Sequence, residues 1–144
     1  MDRPPIDWDR LIEAARAARG RAHAPYSRYQ VGAAVLNRSG AIHASGNVEY
    51  AIPALSICAE RMALSGALAA GDAEPVALVV VTGSSPPARP CGLCRQTLAE
   101  VATELPILCL NDAGERVATD LAALLPEPFR TAAGAPGRYG AARS

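Results

Sequence analysis

Aromatic side chains are scarce in this 144-residue chain, and neither sign of charge is in excess. It contains one Phe, one Trp and four Tyr, and its 14 Lys and Arg residues are matched by 14 Asp and Glu residues. Proteins that bind single-stranded nucleic acid combine stacking aromatics with a positively charged groove. The composition therefore argues against a nucleic-acid partner and favours a small-molecule partner.

Long apolar runs are also missing. No stretch approaches the ~18 consecutive apolar residues of a membrane-spanning helix, and the opening MDRPPIDWDR lacks the apolar segment of a secretory signal. We therefore expect no membrane association and a cytoplasmic location. In a reducing cytoplasm the four cysteines are expected to be metal ligands, nucleophiles or core residues rather than disulfide halves.

Hydrophobic periodicity predicts an α/β protein. The predicted elements are a helix over 6–21, a β-hairpin over 29–37 and 41–49, a helix over 56–70, a strand over 75–83, a helix over 91–102, a strand over 106–112 and a short helix over 120–125. Asp7 is expected to cap the first helix, and Gly71 to end the second. Because helices and strands alternate in the second half, parallel strand pairing is expected there.

The sequence shows neither an internal repeat nor a boundary between domains. Residues 1–130 are therefore predicted to form a single domain with one core. Residues 131–144 are rich in Ala, Gly, Arg and Ser and have no apolar period, so we expect them to be a flexible tail.

Three of the four cysteines follow a pattern. Cys91 and Cys94 lie three residues apart at a predicted helix start, so both can face one metal ion from the first turn. Taken alone, this pair could equally be a redox pair or two core residues. Cys58 stands at the start of another predicted helix, and two converging helix starts would offer three thiolates to one Zn²⁺ per chain.

Three protein ligands leave one position of a tetrahedral zinc ion open, which is typical of catalytic rather than structural zinc. Cys109 lies in the middle of a predicted strand, and we interpret it as a buried apolar residue. If Cys109 were a fourth ligand, the site would be closed and structural.

Glu60 follows Cys58 by two residues, in the first turn of the same predicted helix. From there its carboxylate can reach the open side of the metal without binding it, and can pass a proton from an attacking water to a departing group. The alternative is that Glu60 only complements the helix dipole.

Arg61 and Arg95 each directly follow a residue of these motifs. Hydrogen bonds from their guanidinium groups to the ligand sulfurs would offset the net negative charge of three thiolates around Zn²⁺. For either arginine alone, the alternative is a solvated surface residue.

Taken together, the motifs resemble the cytidine deaminases of the small homotetrameric type, with cysteine in place of histidine as the first zinc ligand. The resemblance runs in family order from about Pro25 to Phe129. Its segments are Pro25-Tyr26-Ser27, Val31-Gly32-Ala33-Ala34, Gly46-Asn47-Val48-Glu49, Cys58-Ala59-Glu60-Arg61, Pro90-Cys91-Gly92-Leu93-Cys94-Arg95-Gln96, and Leu124-Leu125-Pro126 with Phe129.

The resemblance implies a three-layer α/β/α sandwich around a mixed five-stranded sheet. It also implies hydrolysis of cytidine or deoxycytidine to uridine or deoxyuridine and ammonia, by a homotetramer whose active sites are shared between subunits. By the same resemblance, Asn47 and Glu49 bind the ribose 3′-hydroxyl, and Phe129 stacks on the base from a neighbouring subunit.

Further substrate contacts are implied in the same way. Tyr29 stands where the family usually has a Phe that lines the nucleoside site. The backbones of Ala59 and Cys91 would hold the edge of the base, and Glu60 would also contact a ring nitrogen. Ala51 keeps the small residue that the family has beside the sugar.

The loop over 50–54 departs from the family pattern, because Tyr50 replaces an amide and Pro53 replaces a tyrosine near the 5′ side of the sugar. A nucleoside with a modified sugar, such as blasticidin S, is therefore an alternative substrate. No Lys or Arg lies between Gly46 and Cys58, so a 5′-phosphate is predicted to be rejected.

Two other functions are possible for such a zinc site, and the sequence disfavours both. A deaminase of bases in RNA or single-stranded DNA is disfavoured by the neutral net charge and the few aromatics. A non-catalytic zinc-stabilised binding module would have no use for the carboxylate of Glu60.

Overall fold

A five-stranded mixed sheet forms the centre of the computed structural model, which describes residues 3–130. In chain order the elements are helix α1 (Trp8–Gly20), strands β1 (Gly32–Asn37) and β2 (Ile42–Gly46), a 3₁₀ turn (Pro53–Leu55), helix α2 (Ala59–Ala69), strand β3 (Pro75–Val81), helix α3 (Gly92–Ala99), strands β4 (Pro106–Leu110) and β5 (Arg116–Asp120), and helix α4 (Leu121–Leu124). The predicted tail over 131–144 lies outside the described residues.

The strands are ordered β2-β1-β3-β4-β5; the neighbours β3 and β4 pair in parallel, and the other neighbouring strands pair antiparallel. This confirms the mixed sheet and the parallel pairing expected in the second half. The residue pattern did not predict β5, because this edge strand alternates exposed with half-buried residues and carries little apolar signal. The expectation of a fifth strand came only from the family resemblance.

Helices cover both faces of the sheet. On one face, α1 packs Leu11, Ile12 and Ala15 against the sheet. On the other face, α2, α3 and α4 bury an apolar set that includes Leu64, Leu98 and Leu121. All residues of β3 are buried, as expected for a central strand covered on both sides. The three-layer α/β/α architecture is confirmed.

The predicted hairpin aligns Gly32 at the start of β1 with Gly46 at the end of β2. Helix α1 crosses close to this pair, since a Cβ on Gly32 would lie 2.0 Å from the carbonyl oxygen of Ala15. Because Gly32 follows the loop over 26–31, and Gly46 precedes the segment over 47–49, these two segments leave the hairpin side by side.

All four described helices begin one to three residues later than the sequence predicts, and the later starts of α2 and α3 bear on the site. Helix α2 was expected from Ser56 but starts at Ala59, because Ile57 is still extended and pairs with Val48. Helix α3 was expected over 91–102 but spans Gly92–Ala99. As a result, Cys58 and Cys91 are the extended N-cap residues of their helices.

The other caps agree with the sequence. Asp7 accepts a hydrogen bond of 3.1 Å from the backbone N–H of Arg10, and Asp120 accepts one of 2.8 Å from that of Ala123 at the start of α4. Gly71 follows α2 with a positive φ of 80°. Within residues 3–130, none of the helices has the length and apolar character needed to cross a membrane.

Candidate metal centre

The starts of α2 and α3 lie on the same face of the sheet and contact each other, which brings three thiols together. The Sγ atom of Cys91 lies 3.7 Å from that of Cys58 and 3.5 Å from that of Cys94. All three sulfurs lie within 4.8 Å of one another. Cys109 is buried elsewhere in the core and does not belong to this cluster.

The spacing of the sulfurs fits a zinc ion. Zn–S bonds of about 2.3 Å in tetrahedral geometry hold two sulfurs about 3.8 Å apart, close to the observed 3.5 and 3.7 Å. In the part of the chain that is described, no His, Asp or Glu joins the three cysteines as a fourth ligand. The cluster can therefore hold one metal ion with one coordination position left for a water or substrate.

The thiols are electrostatically coupled. A hydrogen bond from Cys94 is the main reason that the pKa of Cys58 is lowered to about 5, while burial opposes the shift and Arg61 adds to it. The same hydrogen bond, together with burial, raises the pKa of Cys94. Without a cation, Cys94 therefore stays protonated beside the Cys58 thiolate, whereas a bound metal ion would favour its thiolate form.

Arg61 lies beside the sulfurs of Cys58 and Cys94. Burial lowers the pKa of Arg61, but its interactions with Cys58 and Cys94 outweigh this and raise it. Its Nε atom is buried and lacks a hydrogen-bond partner among residues 3–130, while a terminal nitrogen lies 3.5 Å from the carbonyl oxygen of Ser56. The guanidinium thus places positive charge next to the ligand set.

Arg95 differs from the prediction. Its Nε donates a hydrogen bond of 2.7 Å to the carbonyl oxygen of Pro90, and a terminal nitrogen donates one of 2.9 Å to that of Leu124. These contacts direct the guanidinium to carbonyl groups and not to the sulfurs. Leu124 is the last residue of α4, where carbonyl oxygens lack an intrahelical partner, and Pro90 lies in the loop before α3. Arg95 therefore ties the loop before Cys91 to α4.

Glu60 is nearly inaccessible, with 5% of its surface exposed, and lies in the first turn of α2. Burial, and secondarily the negative charge of Cys58, raises the pKa of its carboxyl group above the ordinary value. A buried carboxyl beside the cluster of three cysteines is able to exchange protons with a bound molecule.

A cavity of about 180 Å³ opens beside the thiols. Its lining includes Cys58 and Cys91. It also includes the predicted catalytic residue Glu60 and three predicted substrate contacts, which are Tyr29, Asn47 and Ala59. Complete ligand sites usually measure about 300–1,000 Å³, so this cavity is small for a complete ligand site.

Three predicted contact residues do not line this cavity in the single chain. The carboxylate of Glu49 instead binds the loop over 26–31, and Ala51 is exposed at the surface. Phe129 is 70% exposed, and its backbone N–H and C=O bind the side chain of Gln96 on α3 at 3.1 and 2.9 Å.

Sequence reasoning missed the residues that follow β3. Thr82 is buried and lines the cavity, and its hydroxyl accepts a hydrogen bond of 3.3 Å from the backbone N–H of Ala88. Arg89 also lines the cavity and makes no ion pair in the described region. The signal was available, since the carboxyl end of a parallel strand is a usual ligand site in α/β sheets.

A three-layer α/β/α fold in which two helix starts bring three thiols together, beside a cavity that a buried glutamate lines, defines the class of the zinc-dependent deaminases. Residues 7–109 match the family model described as the cytidine and deoxycytidylate deaminase zinc-binding region. The chain therefore belongs to the cytidine deaminase family, whose members are zinc-dependent hydrolases.

Relatives resemble the chain over most of its length. A cytidine deaminase from Sporosarcina psychrophila is 38% identical, covering 86% of this chain and 92% of that protein. One from Halalkalibacterium halodurans is 39% identical, covering 86% and 95%. The crystal structure of cytidine deaminase from Burkholderia pseudomallei superposes with a TM-score of 0.80 at 41% identity, covering 86% of this chain and all of that one.

We expect the purified protein to contain about one zinc ion per chain and Cys91→Ala to lose most of it, because two thiolates hold zinc much less tightly than three. Cys109→Ala is the matched control and should keep the metal, since Cys109 lies outside the cluster. Metal analysis by mass spectrometry measures both. A depleted Cys109→Ala together with a fully loaded Cys58→Ala would contradict the ligand assignment.

Proposed function

We propose that the protein catalyses hydrolytic deamination of cytidine and/or deoxycytidine to uridine or deoxyuridine and ammonia. The observation that carries this proposal is the arrangement of Cys58, Cys91 and Cys94 around one metal position, with the buried carboxyl of Glu60 lining the same cavity. The names of the relatives at 38–41% identity support the same reaction.

In this proposal the three cysteines hold one zinc ion per chain, and Arg61 offsets their negative charge. When bound, zinc supplies the Lewis-acid chemistry that makes a water molecule nucleophilic at neutral pH. Glu60 accepts a proton from this water and passes it to the ring nitrogen N3 as the water oxygen bonds to C4 of the base. Glu60 then takes the remaining proton of the C4 hydroxyl and delivers it to the 4-amino group, so that the C–N bond breaks, ammonia leaves and the C4 carbonyl forms.

The rest of the pocket is assigned to substrate binding. We propose that the ring of Tyr29 and the side chain of Asn47 flank the nucleoside, and that the backbones of Ala59 and Cys91 hold the edge of the base. Glu49 and Ala51 are proposed to lie on the sugar side. A small nucleoside, and not a nucleic acid, is the proposed partner, because the described cavity is narrow and the chain carries no net charge.

We further propose a homotetramer with shared active sites. Phe129 and several other large apolar side chains are exposed on the single chain; these include Leu93 at 66%, Ile52 at 61%, Leu55 at 55% and Tyr50 at 50%. Exposed apolar residues of this size are typical of interfaces between proteins. A neighbouring Phe129 would complete the small cavity by covering the base.

Two broader assignments complete the proposal. Residues 1–130 form a single deaminase domain, supported by one sheet whose two apolar layers include residues from all four helices. A cytoplasmic location suits a site built from three cysteines that must stay reduced to bind metal.

Glu60→Gln tests the reaction. We expect this variant to keep its zinc and its melting temperature but to lose at least about 10²–10⁴-fold in kcat, the usual contribution of a positioned acid or base. Turnover is followed by the ultraviolet change from cytidine to uridine. Turnover within a few-fold of the native protein would show that Glu60 is not the proton carrier.

A substrate panel tests the assignment to nucleosides. Cytidine and deoxycytidine should be turned over, whereas free cytosine should react at least about 10²-fold more slowly, because binding energy from the sugar positions the reacting carbon. Equal turnover of cytosine and cytidine would contradict the nucleoside assignment. Blasticidin S belongs in the panel, and its preferred turnover would favour the alternative of a modified sugar.

The same panel should show that deoxycytidine monophosphate is a poor substrate, as predicted from the lack of cations over 46–58. Arg89 lines the cavity and is the cation that would pair with a 5′-phosphate if the pocket accepted one. Because we expect the monophosphate to be rejected, Arg89→Ala should leave the low activity on the monophosphate unchanged. Efficient turnover of the monophosphate that Arg89→Ala abolishes would show that the pocket accepts a 5′-phosphate.

Mixed oligomers test the shared site. Light scattering should give a tetramer, and Phe129→Ala should lower kcat/KM about tenfold or more, because stacking on a base is worth ~1–3 kcal/mol. When Phe129→Ala subunits are reassembled with Glu60→Gln subunits, activity should rise above that of either variant. In such mixed oligomers some sites combine Glu60 of a Phe129→Ala subunit with Phe129 of a Glu60→Gln subunit. A monomer with full activity, or no gain on mixing, would contradict sharing.

A further inference from the structure

The side chains of Asn47 and Glu49 are occupied within the chain itself. Oε1 of Glu49 accepts hydrogen bonds of 3.1 Å from the backbone N–H groups of both Tyr26 and Ser27, and Oε2 accepts one from the Ser27 hydroxyl. Asn47 accepts a hydrogen bond of 2.8 Å from the N–H of Val31 and donates one of 2.9 Å to the carbonyl oxygen of Tyr29. Both residues therefore hold the loop over 26–31.

This loop needs an external support. Residues 26–30 are exposed and contribute nothing to the apolar core. Arg28 has a φ of 58°, in the left-handed region that is unfavourable for a residue other than glycine. Such a conformation persists only where the surrounding contacts impose it, and the carboxylate of Glu49 binds the residue immediately before Arg28.

The loop carries one wall of the cavity. Tyr29 lines the cavity, its N–H donates to the Ser27 hydroxyl at 3.0 Å, and its own hydroxyl shares a hydrogen bond with Ser84 beyond β3. On its other side, the segment over 47–49 pairs through Val48 with Ile57, with hydrogen bonds of 3.0 and 2.8 Å. Ile57 directly precedes Cys58, so this segment connects the wall to a proposed metal ligand.

We propose that Glu49, together with Asn47, is a positioning residue that holds the loop over 26–31 so that Tyr29 forms the pocket wall, independently of any contact with the ribose 3′-hydroxyl. This inference rests on the proposed deamination, and it adds a role that a sugar contact alone does not require. Hydrogen bonds from the Ser27 hydroxyl and amide lower the pKa of Glu49, so the carboxylate is ionised at neutral pH and accepts all three bonds.

A pair of substrates separates the two roles. If Glu49 acts only through the 3′-hydroxyl, Glu49→Ala lowers kcat/KM for cytidine but leaves kcat/KM for 3′-deoxycytidine unchanged. If Glu49 positions the wall, both substrates lose by similar factors, on the order of 10²-fold, because small displacements of a binding group carry costs of this size. A loss of more than about fivefold on 3′-deoxycytidine supports the proposal, and a smaller loss overturns it.

Amide hydrogen exchange supplies a readout that does not depend on turnover. In Glu49→Ala, the amides of Tyr26 and Ser27 should exchange at least about tenfold faster than in the native protein, whereas those of β3 should not change. Unchanged exchange over 26–31 overturns the proposal. If the native protein deaminates neither substrate, the proposed function fails, but hydrogen exchange still tests whether Glu49 holds the loop over 26–31.

Two variants guard against a general loss of folding. Ser27→Ala removes the hydroxyl that donates to Glu49 and accepts from the N–H of Tyr29. Ser27 is not itself a cavity-lining residue, and this variant should lower kcat/KM for both substrates by similar factors of about 3–10. A lower kcat/KM for cytidine alone would contradict the positioning role of Glu49. Glu13→Ala removes an exposed carboxylate of α1 on the opposite face of the sheet, and should change neither kcat/KM nor exchange.

Discussion

Two helix N-termini, each preceded by a cysteine at the N-cap position, must lie within a few ångströms of each other for this protein to bind its metal. Cys58 and Cys91 occupy these positions, where the backbone is still extended and the thiol makes no capping hydrogen bond. Cys94 adds the third sulfur from one turn further along α3. The open coordination position and the cavity beside it depend on this meeting point.

Neither helix is held there by its own propensity, because α3 is short and α2 begins with a cysteine that makes no side-chain cap. Both pack their apolar sides onto the sheet, and the extended pair of Val48 and Ile57 leads the chain into Cys58. Arg95 fastens the loop before Cys91 to the end of α4. The ligand geometry is therefore a product of packing and backbone pairing on one face of the sheet.

The hairpin of β1 and β2 at one edge of the sheet leads into the segments that form one wall of the pocket. Its glycine pair lets α1 approach closely, and the segments that leave this end carry Tyr29 and Asn47 into the cavity. On the opposite side, residues after β3 bring Thr82 and Arg89 to the same space. The small volume of the cavity in one chain and the exposed Phe129 are consistent with the proposal that a second subunit completes it.

The sequence alone determined the chemistry, because short-range spacing decides which residues share a helix start. Glu60 is the second residue after Cys58, and Cys94 is the third residue after Cys91, so each motif could be interpreted without knowing the fold. The tertiary structure decided what lies between the motifs. It turned Arg95 toward carbonyl groups, brought Arg89 to the cavity, and engaged Glu49 with the loop over 26–31. These contacts join residues distant in sequence, and their geometry depends on how helices and loops settle on the sheet, which no local pattern encodes.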